Sequence, residues 1–287
     1  MKLLVIFCAC SLTFFSTANA QAVPDPIHPN FSIAPVQEWE KQFDAFTFKK
    51  LEKDGHVLPY RFYQPVKIRP GKKYPLVLFF HGAGERGNDN RKQLMRFKPV
   101  AFWEKEPCYV IAPQCPAPGA GEPDGEATWV QTGFGWPSHQ MKAQPTWPMQ
   151  LAMLLLDSII RNNNIDTNRI YVTGLSMGGF ATWEILQREG HLFAAAVPVC
   201  GGADTSFAKQ LTGIPIWAFH GDADSTVIPQ RSIDMITRIR ENGGREAKLT
   251  MYPGVGHGAW TPTYSNVEVW NWLFSQKKGD AGPAPAK

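Results

Sequence analysis

Three residue types in the C-terminal half of the chain could together break an ester or amide bond. They are Ser176 in Gly174-Leu175-Ser176-Met177-Gly178, an aspartate in HGDADSTVIP, and His257 in YPGVGHGAW. A serine hydroxyl becomes a nucleophile only when a base takes its proton, and a histidine base needs an acid to fix its tautomer. The glycines flanking Ser176 let a strand and a helix close on a strained corner that projects the serine oxygen past the edge of a sheet. On such a corner the chain order is serine, acid, histidine. His28, His56, His139 and His191 all precede the acid, whereas His257 follows the last strand in a glycine-rich loop able to fold back over the sheet. Asp222 and Asp224 each lie one short turn beyond the strand PIWAFH, and local sequence does not choose between them. Attack on a carbonyl puts negative charge on oxygen, and the Met177 amide, first after the nucleophile, is placed to receive it.

Such residues need strand ends held side by side. Short β-branched or aromatic runs read as strands at 74–80 (YPLVLFF), 108–113, 169–173, 194–199, 215–220 and 248–253. Most are apolar on both faces, as parallel strands covered by helices must be. FDAFTFKK and HVLPYRFYQP alternate more and read as an antiparallel hairpin at the sheet edge. Helical periodicity is clearest over 147–163, after Ser176, over 230–244 and over 264–276. The alternation predicts an α/β fold. Between Pro113 and Pro148 runs a Pro- and Gly-rich stretch carrying Trp129, Trp136 and Trp147, long enough to be a functional loop.

The first twenty residues, MKLLVIFCACSLTFFSTANA, have a lysine, an apolar run from Leu3 to Phe15 and small residues at Ala18 and Ala20. That is the pattern of a cleaved secretory signal, giving a mature chain from near Gln21 that is secreted or periplasmic. Its apolar core is short for a bilayer span, and no later stretch is longer. Residues 21–276 suit a single domain, and the Gly/Pro/Ala-rich tail 277–287 reads as disordered. The net charge of +4 comes from scattered residues, which gives no surface for nucleic acid. Cys108, Cys115 and Cys200 remain beyond the leader, an odd number. A strand between the first two would hold them about 23 Å apart, too far for a bridge. GDADS lacks the spacing of a calcium loop, and no dinucleotide or phosphate-loop fingerprint occurs, so no metal or cofactor is expected.

The segments PLVLFFHGAGERGNDN, VIAPQCP, NRIYVTGLSMGGFATWE, FAAAVPVCGG, PIWAFHGDADSTVIP and YPGVGHGAWTPTYSN resemble the α/β-hydrolase superfamily. The likeness is closest to its secreted esterase branch, which includes dienelactone-hydrolase-like proteins and others described as peptidases. The resemblance implies a mostly parallel twisted sheet of about eight strands with helices on both faces. It implies a serine carboxylic-ester hydrolase working through an acyl-enzyme on short-chain or carbohydrate-linked esters, of acetyl or feruloyl type. A serine peptidase of the same fold, or a non-catalytic binding module on that scaffold, are the alternatives. The family pattern H-G-x-x-D-x-x-V falls on His220, Gly221, Asp224 and Val227, which selects Asp224 as the acid. The loop after the first parallel strand then offers Ala83, beside Gly84, as the second oxyanion amide. His81 and His220, each in an H-G pair at a strand end, are expected to be structural hydrogen-bonders. Glu85, Trp136 and Trp260 are candidates for touching substrate. Arg86 beside Glu85 could likewise reach the pocket rim, the two could equally pin their loop through an ion pair, and the loop tryptophans could equally pack the loop.

Overall fold

The computed structural model describes residues 38–97, 102–117 and 127–279; the leader read over residues 1–20 lies outside them. Eight described strands form one sheet: β1 (Thr47–Lys53), β2 (His56–Tyr63), β3 (Tyr74–Phe80), β4 (Tyr109–Pro113), β5 (Ile165–Leu175), β6 (Ala195–Val199), β7 (Ile216–Gly221) and β8 (Ala247–Tyr252). Their order across the sheet is β1-β2-β4-β3-β5-β6-β7-β8. β2 pairs antiparallel with both β1 and β4, and the other pairs are parallel. This is the mostly parallel eight-stranded sheet expected from the sequence, with the hairpin at its edge.

Each central strand feeds two cores because successive side chains alternate faces. Along β3, Tyr74, Leu76, Leu78 and Phe80 enter one core, while Val77 and Phe79 enter the other. The first core is closed by α2 (Trp147–Asn162), α3 (Met177–Glu189) and α4 (Gln230–Glu241). The second is closed by α1 (Phe102–Lys105), α5 (Trp260–Ser265) and α6 (Val267–Ser275). Helix α2 starts where its sequence says it must: Thr146 accepts a hydrogen bond from the Met149 amide, and Pro148 sits in the first turn, where its missing N–H costs nothing. Gly178 marks the crossing of α3 over β3. A Cβ there would lie 2.1 Å from the Phe80 carbonyl oxygen, so only glycine allows the contact.

The single helix read over 264–276 is two helices. Asn266 takes an extended conformation between them, and its side chain accepts from the Glu268 amide at 2.9 Å, capping α6. The tail read from Lys277 begins inside the described residues: the Lys278 amide donates to the Asn168 carbonyl at 3.0 Å. Residues 280–287 lie outside them. Cys108, Cys115 and Cys200 are buried and free. No described helix is long and apolar enough to cross a membrane.

Candidate active site

In a parallel sheet the C-terminal ends of the strands share one edge, where ligand sites form. Ser176 follows β5 there, with φ 54° and ψ −120°. A non-glycine residue in the left-handed region stores about 1–3 kcal/mol of strain and persists only where its surroundings hold it. Two backbone bonds do so: the Ser176 amide donates to Val199 at 2.9 Å, and its carbonyl accepts from Phe180 at 3.0 Å. The residue is 7% exposed.

The His257 ring arrives from the loop after β8, and its Nε2 lies 2.8 Å from Ser176 Oγ. Its Nδ1 lies 2.7 Å from Asp224 Oδ2. Gly221 permits this approach, since a Cβ there would stand 2.0 Å from the Val255 carbonyl oxygen in the histidine loop. Asp224 Oδ1 accepts the Thr226 and Val227 amides at 2.9 and 3.0 Å. Burial alone would push the Asp224 carboxyl up. Hydrogen bonds from His220, His257 and the Val227 amide outweigh that and hold it well below the usual carboxylate range. The rival aspartate is turned elsewhere: Asp222 Oδ1 accepts the Gly254 amide at 2.7 Å, pinning the turn that leads to His257.

Met177 opens α3, so its amide has no acceptor within the helix, and the helix dipole favours negative charge beside it. Ala83 opens a short 3-10 turn, Ala83–Glu85, just beyond β3, the strand that neighbours β5. Glu85 is buried, with Arg96 Nε 3.5 Å from its carboxylate. The ion pair weighed for this loop therefore exists with Arg96, while Arg86 instead donates to the Ala83 and Ala127 carbonyls. Trp260 stands edge-on to the His257 ring with centroids 5.2 Å apart.

The loop tryptophans divide. Trp129 is buried against Phe80 and His81, and Trp147 stacks on His56. Trp136 is 60% exposed. Its backbone is held by Arg231 of α4, whose buried guanidinium donates to the Trp136 carbonyl, meets His139 Nδ1 and lies over the Phe180 ring. Sequence reasoning missed Arg231, because its hydrogen-bond partners lie over ninety residues away and nothing local distinguishes it from a surface arginine.

His81 and His220 are both fully buried hydrogen-bonders, as expected. His81 donates from Nδ1 to Gly82 O at 2.6 Å and accepts the Cys115 amide at Nε2 at 2.9 Å, so both nitrogens are satisfied only in the neutral ring. Burial pushes this imidazole down to about 4. A group whose folded value is depressed contributes stability above its unfolded value that is lost as pH falls through the folded one. The fold is therefore expected to lose up to about 3 kcal/mol from His81 between pH 6.5 and pH 4. Urea unfolding across that window measures this, and a midpoint that stays flat would refute it.

Cys200, His220 and Asp224 bring possible metal-binding atoms within 4.8 Å of one another. Both Asp224 oxygens are already committed to the donors named above, so the cluster is better described as support for the carboxylate.

A doubly covered, mostly parallel sheet with a serine corner after β5, an acid after β7 and a histidine after β8 along one edge has the α/β-hydrolase fold. Within that superfamily, residues 140–269 match the dienelactone hydrolase family. A thermostable esterase of known structure superposes with a TM-score of 0.73 at 35% identity, over 83% of this chain and 64% of that one. An acylaminoacyl peptidase from Pyrococcus horikoshii superposes with a TM-score of 0.60 at 15% identity, over 85% of this chain and 44% of that one. A bifunctional acetylxylan esterase/xylanase from Neocallimastix patriciarum is 25% identical over 66% of this chain and 24% of its own length. The chain thus spans about a quarter of that curated relative and just under two thirds of the esterase.

Proposed function

We propose that the chain is a serine ester hydrolase. The observation that carries this reading is the continuous hydrogen-bonded line from Ser176 Oγ through His257 to Asp224 Oδ2, at 2.8 and 2.7 Å. Ser176 Oγ attacks the ester carbonyl carbon as His257 Nε2 takes its proton, and Asp224 steadies the resulting imidazolium. The Met177 and Ala83 amides hold the oxyanion. Collapse expels the alcohol, which receives the proton from His257 and leaves an acyl-Ser176. Water, deprotonated by His257, then attacks the acyl carbon, and the carboxylate departs as Ser176 regains its proton. No metal or cofactor takes part in these steps.

The substrates in this reading are short-chain or carbohydrate-linked esters. The exposed Trp136 and the polar residues around it suit the flat face of a sugar or aromatic acyl group better than a lipid surface. The acetylxylan esterase likeness agrees with this, and the leader would deliver the enzyme to polymers outside the cytoplasm. The test is kcat/KM on acetyl and feruloyl saccharides, a long-chain acyl ester and internal peptides, using exported protein whose N-terminus is sequenced. Preference for the saccharide esters and a mature start near Gln21 are expected. Efficient cleavage of internal peptides would establish a peptidase instead. Failure of a fluorophosphonate to label Ser176 would point to a binding module on a hydrolase scaffold.

A further inference from the structure

A second histidine reaches the acid. His220, at the end of β7, places Nε2 2.9 Å from the Val227 carbonyl oxygen and 3.3 Å from Asp224 Oδ2, and Nδ1 2.8 Å from Ser232 Oγ on α4. Ser232 Oγ is also 2.9 Å from the Gly201 carbonyl. The protons can be counted. Val227 O and the ionised Asp224 accept only, so Nε2 must carry hydrogen. The Ser232 hydroxyl has one proton to give, either to Nδ1, leaving the ring neutral, or to Gly201 O, in which case Nδ1 is protonated too. Both states keep the Nε2–H aimed at the acid loop.

From this we infer that His220 is a positioning residue for Asp224, meeting the same Oδ2 that His257 binds; the inference rests on the proposed hydrolase reading. Its Nε2–H ties down Val227, whose amide binds Asp224 Oδ1, and reaches Oδ2 off-axis. The carboxylate thus has donors at both oxygens and cannot rotate away from His257. Among the described residues, few other ionisable groups face this ring. Cys200, at the end of β6, presents a thiol that burial keeps protonated. Arg231, next to Ser232, turns toward Trp136 and His139 instead. The H-G-x-x-D-x-x-V spacing is then a closed ring of contacts: histidine to valine carbonyl, valine amide to aspartate, aspartate to histidine.

The experiment compares His220→Leu with His220→Gln, whose side-chain amide can donate from near the Nε2 position. Losing a hydrogen bond to a charged group is expected to lower kcat of the leucine variant by about 10-fold to 100-fold with little change in KM. The acid limb of its kcat/KM profile should move to higher pH, because a less-shared carboxylate charge favours the imidazolium of His257. The glutamine variant should recover most of kcat and the original limb. Equal losses in two folded variants, or an unmoved limb in the leucine one, overturn the inference. Should the leucine variant not fold, 15N-histidine NMR of the unmutated protein decides: protonated Nε2 on His220 supports the inference, and a ring protonated at Nδ1 alone overturns it. That spectrum does not need turnover, so a wild-type protein inactive on every ester would count against the proposed function while leaving His220 to be judged by its tautomer.

Discussion

Replacing Ser176 with alanine is expected to lower kcat on a saccharide ester by about 10^5-fold to 10^6-fold while leaving the fold intact, since the nucleophile takes part in every covalent step. The hydroxyl's hydrogen bond is to His257, not to the scaffold. The backbone bonds to Val199 and Phe180 that hold the corner survive the change, and alanine tolerates the left-handed turn no worse than serine. Unfolding free energy should therefore shift by less than about 0.5 kcal/mol. Residual turnover of more than a few per cent, in a preparation free of wild-type protein, would remove Ser176 from its role.

The second large effect is expected at the acid. Asp224→Asn should cost about 10^3-fold to 10^4-fold in kcat, because the amide favours the wrong tautomer of His257. The site makes this severe. Both Asp224 oxygens face N–H donors, from His257 and His220 on one side and the Thr226 and Val227 amides on the other. Either orientation of an asparagine turns its NH2 onto a donor. Asp222→Asn keeps a carbonyl oxygen for the Gly254 amide and should be nearly silent. Assays of both variants at one pH would reverse the assignment if the ranking were inverted.

Much of the scaffold was legible in the sequence because the buried strands are written in two-faced apolar runs. YPLVLFF matches β3 at both ends, and the other parallel strands lie within a few residues of their reading. The error at 264–276 came from treating apolar periodicity as continuous across Asn266, although Asn-Val-Glu is itself a helix-start signal. Ser176 and His257 could be picked by type and chain order. Asp224 could not be separated from Asp222 locally, since the two differ only in which way a short turn directs them. What stayed hidden depends on contacts between distant segments. Arg231 holding the Trp136 loop, Arg96 rather than Arg86 pairing with Glu85, and the different fates of three tryptophans of similar local composition are all set by packing.

In the proposed mechanism, the order of strands along the chain also governs when during its making the molecule could become chemically competent. The serine corner stands on β5, flanked by β3 and β6, whereas the histidine depends on β8, which comes last in the chain and lies at the sheet's outer margin. A polypeptide drawn N-terminus first from the ribosome therefore contains Ser176 while the residues of the histidine loop are still unmade. Until β8 lays itself along β7, that serine is an ordinary alcohol.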